Sequence, residues 1–419
     1  MSHRLAKLLV VLAASWACGS AAGERTLVVN ANTADASPRA AWQAAVGKFE
    51  AEHPDIRVEL NIYDHESYKK AIRNWLTSAA PDVVFWFAGQ RMRQFVAPGL
   101  LEDVSDLFTP AARSTMRPAA VELVSVGGRQ YGVPYQHYQV GLYVRSDVLR
   151  EAGIAEPPRR WDELLAACER LKARQIEPIA IGTRDLWPAA AWFDYLDLRE
   201  NGLEFHMKLM GGRVPYTDAR VRRVFGRWRE LLDRSCFSAN HASSSWQESQ
   251  APLFNGKAAM MLIGNYIVAN FPAGVRDQMA FAPFPVIEPG VGRFEDAPMN
   301  TIHIPARARN KADARTFLRF VMRADVQADL NRAMLQIPVN LDAAIADDRF
   351  LAAGRALLRD ADGLAQFFDR DTNEELANIA MKGFQEFMLK PERLGPILGN
   401  IERARLRIYG AGSGAVVAR

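Results

Sequence analysis

The chain has 419 residues, enough for two or three domains, with 49% hydrophobic and 24% charged residues, an ordinary soluble composition. Its formal charge of +4 falls to +2 without Arg4 and Lys7, and the remaining basic residues are interleaved with acids. No basic stripe stands ready to neutralise phosphates, which argues against a nucleic-acid binder.

The first residues, MSHRLAKLLVVLAASWACGSAAGE, put two cations before an apolar run from Leu8 to Ala17 and small residues after it. That order is a secretory signal peptide over 1–22, its apolar run being too short to span a bilayer. Cleavage after Ala22 is expected. Lipidation at Cys18 is the alternative, and Trp16-Ala17 fits that processing site poorly. The exported chain keeps Cys168 and Cys236, which either pair or stay buried and inert. Neither has metal-ligand spacing, and no cofactor motif is present.

Arg25 to Asn32 reads as a strand, and Trp42, Ala45, Val46 and Phe49 fall at helical spacing. His53-Pro54-Asp55 turns into an alternating strand from Ile56 to Leu60. Tyr68 to Leu76 follows as a helix, Val83 to Phe87 as a buried strand and Gln90 to Val96 as a helix. Strands alternating with helices imply a mostly parallel sheet. Pro134, between short strands ending at Val133 and starting at Gly141, suits a crossing between domains, so a hinge is expected near residue 135.

Trp161 opens a helix to Arg174, and Ile179 to Gly182 is a strand that runs into Asp185-Leu186-Trp187-Pro188. Trp187 is expected in a loop. Ala189 to Leu209 is helical, with Trp192 in the core, and Val221 to Leu232 is an amphipathic helix. Ala258 to Ile263 is a buried strand leading into Gly264-Asn265-Tyr266. In α/β sheets ligands sit at the carboxyl ends of strands, so two such ends offer an aromatic to one cleft. Asn300 to Pro305 leads into a helix from Lys311 to Met322, and Leu376 to Tyr409 is mostly helical.

The order HPDI, PDVVFWFAGQRM, GLLEDVSDLF, YGVPY, WDELLAACERL, FNGKAAMMLIGNY and NKADARTFLRFV resembles the extracellular solute-binding proteins of family 1, the maltose-binding-protein-like subunits of ABC sugar importers. The resemblance implies a type II periplasmic binding fold of two α/β lobes closing on ligand about a hinge. One lobe would comprise 23–135 plus 295–340, the other 136–294 plus 341–419. It implies a periplasmic monomer that takes a mono- or oligosaccharide to membrane permease subunits, without catalysis, metal or nucleic acid.

By the same resemblance, ligand contacts would come from His65, Glu66, Phe87, Gln90 and Arg91, together with Tyr135 and Asn300. From the other lobe, Trp187, Asn265, Tyr266, Asp369 and Arg370 would join them. These residue types fit a neutral sugar, whose C–H face packs on aromatics and whose hydroxyls need planar polar partners. A tyrosine at 266 departs from the tryptophan more usual in that motif. A polyol or phosphodiester solute is the alternative ligand, since Arg91 and Arg93 flank a helix start. A sensor role without transport is equally open. An exported glycosidase would need two flanking carboxylates, and no nucleophile elbow, zinc helix or Walker loop is present.

Overall fold

A computed structural model describes residues 25–410. The signal-peptide segment, Cys18 and the glycine-rich tail after Gly410 lie outside the described residues. In chain order the ten main strands are β1 (Arg25–Ala31), β2 (Ile56–Ile62), β3 (Val83–Phe87), β4 (Val133–His137) and β5 (Val140–Arg145), then β6 (Glu177–Ile179), β7 (Ala258–Gly264), β8 (Met279–Ala282), β9 (Met299–His303) and β10 (Ile337–Pro338). They form a six-stranded sheet in the order β10-β4-β9-β3-β1-β2 and a four-stranded sheet in the order β8-β5-β7-β6.

In the larger sheet β1 pairs in parallel with β2 and β3, and β9 inserts antiparallel between β3 and β4. In the smaller, β5 runs antiparallel to β7 and β8, and β6 parallel to β7. β3 and β7 are buried along their whole length, as strands covered on both faces must be. Each sheet has its own apolar core. One gathers residues 27–135 and 299–339; the other gathers residues 138–284 and 367–404.

The chain passes between the sheets at three places. β4 ends at His137 and β5 begins at Val140. The first crossing is therefore Tyr138-Gln139, a little beyond residue 135. Ala297-Pro298 forms the second crossing, and the amide of Tyr138 donates to the Pro298 carbonyl at 3.3 Å, so the two are bonded together. After β10 the chain returns through the helix Arg349–Arg359, whose Phe350 belongs to a smaller apolar cluster with Tyr143 of β5 and Met261 and Ile263 of β7.

Several expected helices are present with shifted ends: Ala36–Glu52, His65–Thr77 and Trp161–Ala173. The stretch read as one helix from Ala189 to Leu209 is two, Trp187–Glu200 and Gly202–Met210, broken where Gly202 takes φ +79°. The strand placed at 179–182 lies earlier, at Glu177–Ile179. Among the described residues no helix is long and apolar enough to cross a membrane.

Asp82, just before β3, stitches the larger lobe across its gap in sequence. Its carboxylate accepts from the Val28 amide at 3.0 Å, from Asn310 at 2.8 Å and from Arg309 at 3.2 Å. The side chain is buried. Removing it leaves three backbone donors without that acceptor, at about 1–3 kcal/mol each where burial is complete. We expect Asp82→Ala to lower the unfolding free energy by roughly 3 kcal/mol and Asp82→Asn, which keeps one acceptor oxygen, by less; urea unfolding followed by circular dichroism measures both.

Candidate functional site

Between the two sheets lies a partly open cavity of about 150 Å³. Residues from both lobes line it, and several follow the carboxyl ends of strands: Asn32 after β1, Phe87 at the end of β3 and Tyr266 after β7. This is the crevice that parallel strands leave beyond their ends.

One wall is a continuous chain of rings. Tyr138 meets Tyr266 edge to face, centroids 5.4 Å apart, and Tyr266 meets Trp246 the same way at 5.3 Å. Trp246 lies 6.1 Å from Trp187, which lies 5.9 Å from Phe367. Edge-to-face contacts fix ring orientation as well as burying area. Gly264 makes the arrangement possible, because a Cβ there would sit 2.4 Å from the Tyr266 ring and 2.9 Å from that of Tyr138. Trp187 is not in a loop; it is the first residue of its helix, with Pro188 in that helix's first turn.

Beside the rings lie polar groups. The short helix Phe368–Asp371 carries Asp369 and Arg370 into the cavity, and both are buried. Arg370 donates to the Tyr138 hydroxyl at 2.9 Å, the Met299 carbonyl at 3.2 Å and Asn300 Oδ1 at 3.3 Å. Its guanidinium lies 4.0 Å over the Phe87 ring. Burial raises the Asp369 carboxyl, but Lys69, Arg91 and Arg370 outweigh it and hold the group below its ordinary value. It is an ionised acceptor facing the cavity.

The segment bearing these two residues is held from behind. The Phe368 amide donates to Asp194 Oδ2 at 2.8 Å, on the same helix that begins at Trp187. Gln366 accepts from the Met299 amide at 2.9 Å and donates to the Ala297 carbonyl at 3.0 Å, while its own amide donates to Asp371 at 2.9 Å. Gly89, at φ +75°, passes close enough that a Cβ would touch Asp371 and the Arg370 carbonyl. Burial first, and then Asp296, push the Asp194 carboxyl well above its ordinary value.

Of the expected contact residues, His65, Phe87, Tyr135, Trp187, Tyr266, Asn300, Asp369 and Arg370 line the cavity. Glu66, Gln90, Arg91 and Asn265 lie outside its lining. Glu66 sits in the first turn of its helix, 3.1 Å from Lys69. Gln90 opens the helix after Gly89, half-buried and directed elsewhere. Arg91 is buried against the Trp86 ring, 3.9 Å from Asp369 and 3.4 Å from Glu374, and acts on the cavity only through Asp369. Asn265 is fully buried, donates to the Leu335 carbonyl at 2.8 Å, and takes its backbone bond to Gln139 at 3.0 Å. It braces the first crossing.

Lining residues that sequence reasoning passed over include Asn32, Lys69, Gln136, Tyr138 and Trp246. Asn32 had a usable signal, since it ends a strand as Phe87 does. Lys69 is one helical turn beyond His65, on the same face.

The model of the family described as bacterial extracellular solute-binding protein matches residues 34–328. The chain belongs to that family. A Pyrococcus horikoshii protein named as an uncharacterized ABC transporter extracellular-binding protein is 24% identical over 310 residues, 72% of this chain and 69% of its own length. The bacterial solute receptor AcbH superposes with a TM-score of 0.87 at 28% identity, covering 92% of this chain and all of that one. Its structure is described as showing an exclusive preference for b-D-galactopyranose. A chitin oligosaccharide binding protein shares the fold at TM-score 0.84 and 20% identity, covering 93% and 100% of the two chains. The two-lobe architecture is thus that of periplasmic sugar-binding proteins, and the chain is an ABC-type extracellular solute-binding protein.

His65, on the cavity wall, lies 3.3 Å through Nδ1 from the Asn32 amide nitrogen. Burial, with help from Lys69 and Arg370, pushes its pKa down from 6.5 to about 3. The folded value is depressed, so the neutral ring contributes stability fully above pH 6.5, and the contribution falls as pH drops from there toward 3. In NMR titrations of the solute-binding protein the His65 ring signals are expected to stay those of neutral imidazole from pH 8 to pH 5; a midpoint near 6.5 would show an exposed ring.

Proposed function

We propose that this solute-binding protein captures a neutral carbohydrate in the periplasm, one sugar ring filling the cavity, and hands it as a monomer to the membrane permease of an ABC importer. The observation that carries the reading is the pairing of an unbroken aromatic wall with a buried, ionised acceptor, Asp369, beside the buried donor Arg370. A pyranose needs both at once: a ring face for its C–H groups and directional partners for its hydroxyls. The charges of the lining balance, Asp35 and Asp369 against Lys69 and Arg370, which favours a ligand with no net charge over a phosphodiester. The structure described for AcbH, with its b-D-galactopyranose preference, supports a monosaccharide-sized ligand. So does the 150 Å³ of the cavity, since a cavity of about that size holds a single benzene-sized ring. A longer saccharide would place its terminal ring there and extend outward. The reading assigns no catalytic residue.

Within it, the contact residues are Trp187, Tyr266, Tyr138 and Phe87 for the ring faces, and Asp369, Arg370, Asn300, His65 and Tyr135 for the hydroxyls. Glu66, Gln90, Arg91 and Asn265 become supporting residues. Thermal-shift screening of monosaccharides, disaccharides, polyols and phosphodiesters tests the ligand class, because a ligand bound only by the folded state raises the melting temperature. A hexose or hexose-terminated sugar is expected to give the largest rise; stabilisation by a phosphodiester alone would overturn the reading. With that sugar, Trp187→Ala and Asp369→Asn should each weaken binding by about ten- to a hundredfold, equivalent to roughly 1.5–3 kcal/mol. Trp187→Ala also removes packing against Phe367 and Trp246, so its melting temperature is read alongside.

A further inference from the structure

We propose that Cys168 and Cys236 are joined by a disulfide in the exported protein, pinning two helices of the second lobe together behind the cavity. Both side chains are fully buried in the same apolar core and are free thiols in this structure. Their apposition is built by the surrounding backbone. Cys168 sits on the inward stripe of the helix Trp161–Ala173, one turn from Leu164 and Leu171, and that helix packs on β6. Cys236 follows the end of the helix Ala219–Asp233, where Ser235 at φ 52° turns the chain and the Cys236 amide donates back to Leu231 at 3.0 Å. The Cys236 carbonyl then accepts from Ile179, on β6, at 2.9 Å.

Two polar contacts bracket the pair. Glu169, beside Cys168, lies 2.9 Å from Arg234, two residues before Cys236. Trp161 donates to Glu230 at 2.7 Å. Between these contacts Cys168 and Cys236 sit in the same buried cluster, and the neighbouring Cys236 together with burial raises the Cys168 thiol far above an ordinary thiol. Both sulfurs are fully buried in the finished core, so an oxidising enzyme reaches them only while the lobe is still open. An extracellular solute-binding protein folds where disulfides persist.

In the step, two S–H bonds break and one S–S bond forms. The two electrons and two protons pass to the disulfide of a thiol–disulfide oxidoreductase, which leaves as its dithiol. The closed segment, 168–236, contains the helix that starts at Trp187 and carries Asp194, so the cross-link restricts the frame behind the aromatic wall.

The test uses the full-length protein secreted by its bacterial host and purified without reductant. It is unfolded in denaturant with iodoacetamide present, digested without reduction, and mapped by mass spectrometry. The expected result is a Cys168 peptide cross-linked to a Cys236 peptide, with neither cysteine alkylated until reductant is added. Recovery of both as alkylated thiols overturns the proposal. In a second measurement, reduction should lower the melting temperature of the wild type and leave that of Cys168→Ala/Cys236→Ala unchanged. A wild-type melting temperature indifferent to complete reduction would contradict the stabilising role.

Discussion

The guanidinium of Arg370 organises the walls of the cavity between the two sheets. A cation taken out of water is costly unless its donors are met, and here every hydrogen-bond partner is neutral: a phenol, a side-chain amide and a backbone carbonyl. Those partners belong to different parts of the chain. Tyr138 is in the first crossing, Met299 and Asn300 follow the second, and Phe87, beneath the guanidinium, ends β3 in the larger sheet. One buried side chain therefore registers the two lobes against each other at the floor of the cleft.

That requirement propagates outward. To hold Arg370 there, the helix Phe368–Asp371 must be fixed, and Asp194 and Gln366 fix it through backbone bonds. To seat Tyr138 beneath Tyr266, residue 264 must be glycine. The crossings themselves are tied by the Tyr138–Pro298 and Asn265–Leu335 bonds. A few φ/ψ changes at such a place can swing one lobe on the other while each core stays intact. Arg73 and Arg91, in the larger lobe, meet Glu374 across the cleft margin at 2.7 and 3.4 Å. The first of these contacts is exposed, where an ion pair adds little, whereas Arg91 in the second is buried.

Much of this was legible in the sequence because strand-end chemistry is local. A run such as VVFWFAG or AAMMLIGNY announces both a buried strand and the residue that leaves it, which placed Phe87 and Tyr266 at the cavity. What failed was side-chain direction one residue further on. Asn265 and Tyr266 are neighbours, yet one braces the first crossing and the other lines the cavity, because a tight 3-10 turn sends successive side chains different ways. Gln90 and Arg91 turn away after Gly89 at φ +75°, a conformation no hydrophobic pattern encodes. The break at Gly202 and the helical start at Trp187 were hidden by a stretch apolar enough to read as one core helix and a loop. Trp246 and Tyr138 needed the tertiary fold to bring them to the same wall. The family resemblance supplied the two-lobe arrangement, which periodicity alone gives only as alternating elements.

The central claim is that one sugar ring lies between the aromatic wall and the Asp369–Arg370 pair, touching both lobes at once. A crystal structure of the protein grown with its most stabilising sugar tests this directly. The account predicts a pyranose with one face against Trp187 or Tyr266, hydroxyls bonded to Asp369 and Arg370, and contacts from β1, β3 and β9 on the other side. A ligand held by one lobe alone, or seated away from Asp369, would contradict it.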